Sequence, residues 1–334
     1  MKRLVSLSLI MIFAASQQTQ LIAQSKKHKP VPIILDTDIG PDYDDVGAVA
    51  VLHALADKGE AKPLAIIASN KNKLVAPTIN ILNTYFGRPD LPIGAPKAAD
   101  APDHGAVQQW PELLVSKYPH TVKSTDEVPD AVELYRKLLA AQPDKSVTIV
   151  TVGFLTNLAN LLSSPPDQYS KLNGRALIAK KVKRLVSMAG KFPAGREYNV
   201  FIDSIASEKV FMHWPTPLIY SGFEIGEKII TGKQLINNQN IVNSPVKDAF
   251  AKAMTYWKGD DKGRHSWDQS AVLVAVRGTS PYYRVQRGHI VLKGGNNEWK
   301  NDPKGMQSYI IEEMPVEEVR AEIEALMMHQ PSAQ

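Results

Sequence analysis

The stretch Ile33-Ile34-Leu35-Asp36-Thr37-Asp38-Ile39-Gly40-Pro41-Asp42-Tyr43-Asp44-Asp45 sets five carboxylates within ten residues, straight after an apolar run. Carboxylates crowded in this way repel one another and gain nothing from burial. A hard divalent cation makes the arrangement favourable, because such ions take about six to eight oxygen ligands and carboxylates supply charge and oxygen together. An EF-hand loop is excluded: counted from Asp36, the required glycine and glutamate positions hold Pro41 and Gly47. Capping of a turn and of the next helix accounts for Asp36 and Asp44 at most. The chain has no cysteine, so disulfides, thiolate metal sites and a cysteine nucleophile are excluded, and any metal is held by oxygen or imidazole.

The elements that must position these acids follow from periodicity. Short apolar runs at Val31 to Leu35, Leu64 to Ala68, Val147 to Thr151, Arg184 to Met188 and Pro217 to Tyr220 read as buried strands. Helical spacing falls between them at Asp44 to Leu55, Ala76 to Phe86, Ala131 to Ala141, Thr156 to Leu162 and Ser204 to His213. This alternation implies an α/β fold: an open, mostly parallel sheet with helices on both faces and a Rossmann-like core. Ala95 to Val128 and Thr231 to Arg264 read as loop insertions over the carboxyl ends of the strands, where ligands bind in such sheets. Tyr283 to Ile311 adds further strand-like runs, and an amphipathic helix from Val316 to Met328 follows.

With 44% hydrophobic residues the chain can bury a full core, and no internal repeat or low-complexity linker divides it. Residues 31–330 are therefore expected to form a single domain. Lys2 and Arg3 precede an apolar run, Leu4 to Ala15, that is too short to cross a bilayer. Residues 1–23 read as a signal peptide, cleaved after Ser16 or Ala23, with a polar linker over 24–30; secretion or periplasmic location follows. The net charge of +5 is mild, and the basic runs at Lys26 to Lys29 and Lys180 to Arg184 lack interleaved aromatics. Neither nucleic acid nor, after cleavage, a membrane is an expected partner. The oligomeric state is left open, a homo-oligomer included.

Strand-Asp-Thr-Asp-x-Gly followed by Asp-Asp and an Ala-rich helix resembles the opening of the inosine-uridine preferring nucleoside hydrolases. Carried over position by position, the resemblance implies that Asp38 binds Ca2+ and acts as general base, Asp45 chelates the metal, and Asp44 holds the ribose 2′ hydroxyl. Two residues are inserted before the aspartate pair relative to the family, and Asp42 is an additional carboxylate, so the roles of Asp42 and Asp44 are partly exchangeable. Val147 to Ala159 is similar to the family's strand, Gly-x-Leu-Thr-Asn turn and helix, which makes the Val152 carbonyl a metal ligand; Thr156 and Asn157 read as helix caps. Asn70, Glu197 and Asn199 match ribose-contacting positions, with Asp203 opening the next helix. The family's further asparagine after Met188-Ala189-Gly190 is Lys191 here.

Asp268 matches the distal calcium-binding aspartate, but Trp267 stands where purine-acting members carry histidine. Indole cannot protonate a departing base; Trp267 could stack on it, and His265 and His104 are the candidates for the acid. The resemblance thus implies calcium-dependent hydrolysis of the N-glycosidic bond of ribonucleosides, by a metal-activated water and an oxocarbenium-like transition state. One alternative is a catalytically impaired, secreted, calcium-dependent ribose or nucleoside binding protein. Another takes Asp36-Thr37-Asp38 as the nucleophile motif of a haloacid-dehalogenase-like phosphatase, which leaves Asp44, Asp45 and Asp268 without roles.

Overall fold

The computed structural model describes residues 29–98 and 101–331. The expected signal peptide, and the linker up to residue 28, lie outside the described residues. The strands are β1 (Val31–Thr37), β2 (Ala61–Ala68), β3 (Ile93–Gly94), β4 (Val147–Thr151), β5 (Val182–Met188), β6 (Ala194–Arg196), β7 (Leu218–Ser221), β8 (Ile230–Thr231), β9 (Arg264–His265), β10 (Tyr283–Lys293), β11 (Asn296–Asn301) and β12 (Gln307–Glu312).

One sheet runs in the order β3-β2-β1-β4-β5-β7-β12-β10-β11-β6. It is parallel from β3 through β12 and antiparallel across the remaining three pairs. The expectation of an open, mostly parallel α/β sheet holds. The C-terminal strands do more than extend the edge, because β12 inserts beside β7 and carries β10, β11 and β6 outward. β8 and β9 pair separately, a two-residue ladder too short to leave a periodic signal in the sequence.

Strand periodicity explains why helices cover both faces. Ile33 and Leu35 join one apolar cluster while Ile34 joins the other; Ile66 and Ala68 part from Ala65 and Ile67 in the same way. Successive side chains of a strand point to opposite faces, so a strand covered on both sides reads as a continuous apolar run. One face packs against the helices Asp44–Asp57, Val75–Tyr85, Trp267–Arg277 and Val316–Met327, and the other against Ala131–Ala141, Thr156–Ser163 and Ser204–His213. Helices Asp44–Asp57 and Trp267–Arg277 approach closely at Gly47, where a Cβ would come within 2.3 Å of the Gln269 amide. Both start at the carboxyl edge of the sheet, and each carries aspartate in its first turn. The helix dipole favours anionic side chains there.

The expected caps on helix Thr156–Ser163 are not made. Thr156 Oγ1 donates instead to Asp203 Oδ2 at 2.7 Å, and Asn157 Nδ2 donates to Asp36 Oδ2 at 3.1 Å and the Ala68 carbonyl at 2.8 Å. Both side chains thus donate to carboxylates or a carbonyl distant in the sequence instead of accepting from the first amides of their own helix.

Candidate active site

Parallel strands end on the same side, and four of them deliver residues to one cavity: Asp38 after β1, Val152 after β4, Met188 at the end of β5 and Phe223 after β7. The cavity measures about 480 Å³. Asp44, Asp45, Trp267 and Asp268 enter from the two helix N-termini, while Gln108, Trp257 and Arg264 come from the two excursions over the strand ends.

One carboxylate oxygen from each of Asp44, Asp45 and Asp268 can be chosen so that all three lie within 4.8 Å of one another, and all three residues are buried. Asp38, also buried, faces the same cavity. Burial holds all four carboxyls well above the usual carboxylate range, and the charges of their acidic neighbours add to it. Thr37 Oγ1 donates to Asp45, and the Asp268 amide donates to Asp44 Oδ2 at 3.3 Å. Such a set of hard oxygen donors, short of countercharge, fits a divalent cation. Val152 lines the same cavity, and its carbonyl accepts from Asn199 Nδ2 at 3.0 Å, which leaves it a second lone pair.

The two inserted-loop acids divide their work. Asp44 joins Asp45 and Asp268, whereas Asp42 pairs with Arg264, whose Nε donates to Asp42 Oδ1 at 3.0 Å. Arg264 also reaches Asp260 Oδ1 at 3.4 Å, and Tyr43 donates its hydroxyl to Asp260 Oδ2 at 2.6 Å. Asp36 lies beneath this layer, bonded to Tyr135 Oη at 2.8 Å and to Asn157. Its pKa is pushed up to about 7 by burial, which these hydrogen bonds only partly offset.

Among the other residues singled out in the sequence, Glu197, Asn199 and Trp267 line the cavity. Glu197 caps the helix Tyr198–Ile202, accepting from the amides of Asn199 at 2.7 Å and Val200 at 3.0 Å. Trp267 stacks on Phe223 at 5.2 Å between ring centroids, with Nε1 donating to the Phe223 carbonyl at 2.8 Å. Gly226 permits this seat, because a Cβ there would come within 2.3 Å of Trp267 Cα.

Asn70, His104 and His265 are not among the residues that line the cavity. Asn70 staples the end of β2 to the first excursion: its Nδ2 donates to the His104 carbonyl at 2.7 Å, and its Oδ1 accepts from the His104 amide at 3.0 Å. The His104 ring packs on Phe154 at 5.4 Å. His265 turns Nδ1 toward the Glu227 carbonyl at 2.7 Å and lies against Trp267. Arg264, Phe223, Trp257 and Gln108 also line the cavity, and no local motif in the sequence marks them. The inserted Asp42 signalled a need for a cationic partner, but not which one.

Residues 33–321 match the family described as inosine-uridine preferring nucleoside hydrolase. The pyrimidine-specific ribonucleoside hydrolase RihA of Salmonella paratyphi B is 30% identical over 249 residues, covering 68% of this chain and 71% of that one. The inosine-uridine preferring nucleoside hydrolase of Bacillus anthracis superposes with a TM-score of 0.65 at 14% identity, covering 89% of this chain and 99% of that one. A plant nucleoside hydrolase, PpNRh1, superposes with a TM-score of 0.63 at 19% identity, covering 90% and 98%. The sheet, the order of its motifs and the match along most of its length agree: the chain belongs to the inosine-uridine preferring nucleoside hydrolase family.

Proposed function

We propose that this chain, an N-glycosyl hydrolase by family, splits ribonucleosides into base and ribose with Ca2+ as its resident cation. The observation that carries the reading is the buried trio Asp44, Asp45 and Asp268, set in one cavity with Asp38 and an aromatic wall. Asp44, Asp45, Asp268, Asp38 and the Val152 carbonyl would hold the cation. When bound, it supplies Lewis-acid activation of a water and a grip on the ribose hydroxyls.

The chain's own groups do the rest. Asp38, whose pKa is raised by burial and by neighbouring charge, is suited to take a proton from the attacking water. Asn199 and Glu197 border the ribose end of the cavity; the backbone bonds of Glu197 fix its carboxylate in place. As the C1′–N bond breaks, positive charge grows on the sugar, and the surrounding carboxylates stabilise it. The bond's electron pair leaves with the base nitrogen, the water oxygen bonds to C1′, and one water proton passes to Asp38. Trp267 and Phe223 offer the base a flat apolar face. The leader expected over residues 1–23 would deliver this activity outside the cytoplasm, which N-terminal sequencing of exported protein tests.

The experiment is a base-release assay on inosine and uridine with Ca2+, with Mg2+ and with chelator. Calcium-dependent release of base and ribose is expected. Calorimetric ribose binding without release from any riboside would replace the enzyme with the binding protein.

A further inference from the structure

Among the residues that line the cavity there is no histidine, lysine or cysteine. Burial raises the phenol of Tyr198, which also lines it. A neutral base is a poor leaving group when its nitrogen must depart as an anion, so something must meet the charge that develops on it. The base is bonded to the ribose that the aspartates hold, and Trp267 directly precedes Asp268. A base on a ribose held by those aspartates would reach Trp267 and Phe223, which line the same cavity.

Arg264 occupies that side of the cavity. Its guanidinium carbon is 5.2 Å from the Trp267 ring centroid, and its side chain is only 19% exposed. Asp42 receives a two-pronged contact from Nε and Nη2, and Asp260 a third from Nη1. Guanidinium carries five N–H groups, so one on each terminal nitrogen is without a protein acceptor among the described residues. Tyr43 steadies the arrangement by donating to Asp260, and the Arg264 carbon sits 5.5 Å from its ring. The guanidinium is thus fixed by two carboxylates and lines the cavity beside Trp267 with N–H groups to spare, a preorganisation that a merely surface-exposed arginine lacks.

We infer that Arg264, aligned by Asp42 and Asp260, is a catalytic residue that stabilises the departing base as an anion, in place of a proton-donating acid. This rests on the hydrolase reading above. Arginine keeps its proton throughout. The electron pair of the C1′–N bond comes to rest on the base nitrogen, two guanidinium N–H groups hydrogen-bond the anion, and solvent protonates it after release. The assignment also gives the inserted Asp42 a function: it is a positioning residue for the cation.

The test compares a nucleoside with p-nitrophenyl riboside, whose aglycone leaves without assistance. Arg264→Gln is expected to lower kcat on inosine or uridine about 100-fold, the order seen on removing a transition-state hydrogen-bond donor. The loss on p-nitrophenyl riboside should stay below about fivefold. Arg264→Lys retains the charge without the fork and should recover about tenfold on the nucleoside. Retained p-nitrophenyl riboside turnover also reports a folded protein. If Arg264→Gln does not fold, the same ratio is read on Arg264→Lys, where a fall of about tenfold against wild type is expected. Equal losses on both substrates, an unchanged nucleoside rate, or a lysine variant no better than glutamine each overturn the assignment while leaving the hydrolase reading standing. A wild-type protein inert on both substrates would sink both.

Discussion

Asp38 is pressed against Gly153, where a Cβ would lie 2.5 Å from the Asp38 amide nitrogen and 2.6 Å from its Oδ1. The carboxylate can hold its place only while residue 153 has no side chain. Gly153→Ala is accordingly expected to push Asp38 out of position, lowering kcat by at least about tenfold and stability by about 1 to 3 kcal/mol, the usual range for overpacking. Steady-state kinetics and urea unfolding check the two parts. Asp38→Asn should abolish turnover while weakening calcium in a direct titration, since both roles need the ionised form; near-normal turnover would refute them. The histidines belong to the same scale. With its ring turned to the Glu227 carbonyl, His265 is expected on replacement by alanine to change inosine and p-nitrophenyl riboside turnover by the same small factor. A selective loss on inosine would restore it as the acid. The types of the reactive residues were readable because five acids in ten residues have few stable uses. Their pairing was not: Asp42 and Arg264 are 222 positions apart.

At the scale of elements, helix Asp44–Asp57 is the piece on which the site depends. It brings Asp44 and Asp45 to the cavity, and its body is buried almost all round. His53, near its far end, is fully buried with Nε2 2.9 Å from Asn83 Oδ1 and its ring stacked on Phe86 at 4.8 Å. Burial, and then the charge of Arg88, lower its pKa from 6.5 to about 3. A histidine held neutral binds its proton in the unfolded chain first, so stability falls as pH drops below 6.5 and levels off below about 3. Between pH 7 and pH 5 the wild type should lose about 2 kcal/mol more than His53→Gln, measured by urea unfolding at each pH. Identical losses would show that His53 does not drive the dependence. Strands were legible here from short apolar stretches such as Ile33 to Leu35 and Leu64 to Ala68, and helices from their longer period. The caps expected at Thr156 and Asn157 do not form, because their partners, Asp203 and Asp36, come from elsewhere in the chain.

At the scale of the whole molecule, the cavity gathers buried carboxylates whose mutual repulsion a bound cation would relieve. Asp44, Asp45 and Asp268 repel one another in a buried pocket, so calcium binding should raise Tm and chelator should lower it. A ligand at about a hundredfold its Kd stabilises by about 2.7 kcal/mol. The triple variant Asp44→Asn, Asp45→Asn, Asp268→Asn should lose that calcium-dependent shift and melt higher than the wild type in chelator, as scanning fluorimetry would show. A shift that persisted in the variant would place the cation elsewhere. The sequence by itself determined the layered α/β architecture, the crowding of acids after the first strand and the order of the motifs, because each is written in local period or local charge density. Only the tertiary structure decided which acids cluster together and which pairs with Arg264, and that Asn70 and the two histidines are not among the residues lining the cavity. Those choices are made where strand ends and excursions distant along the chain converge, and no local pattern carries that geometry.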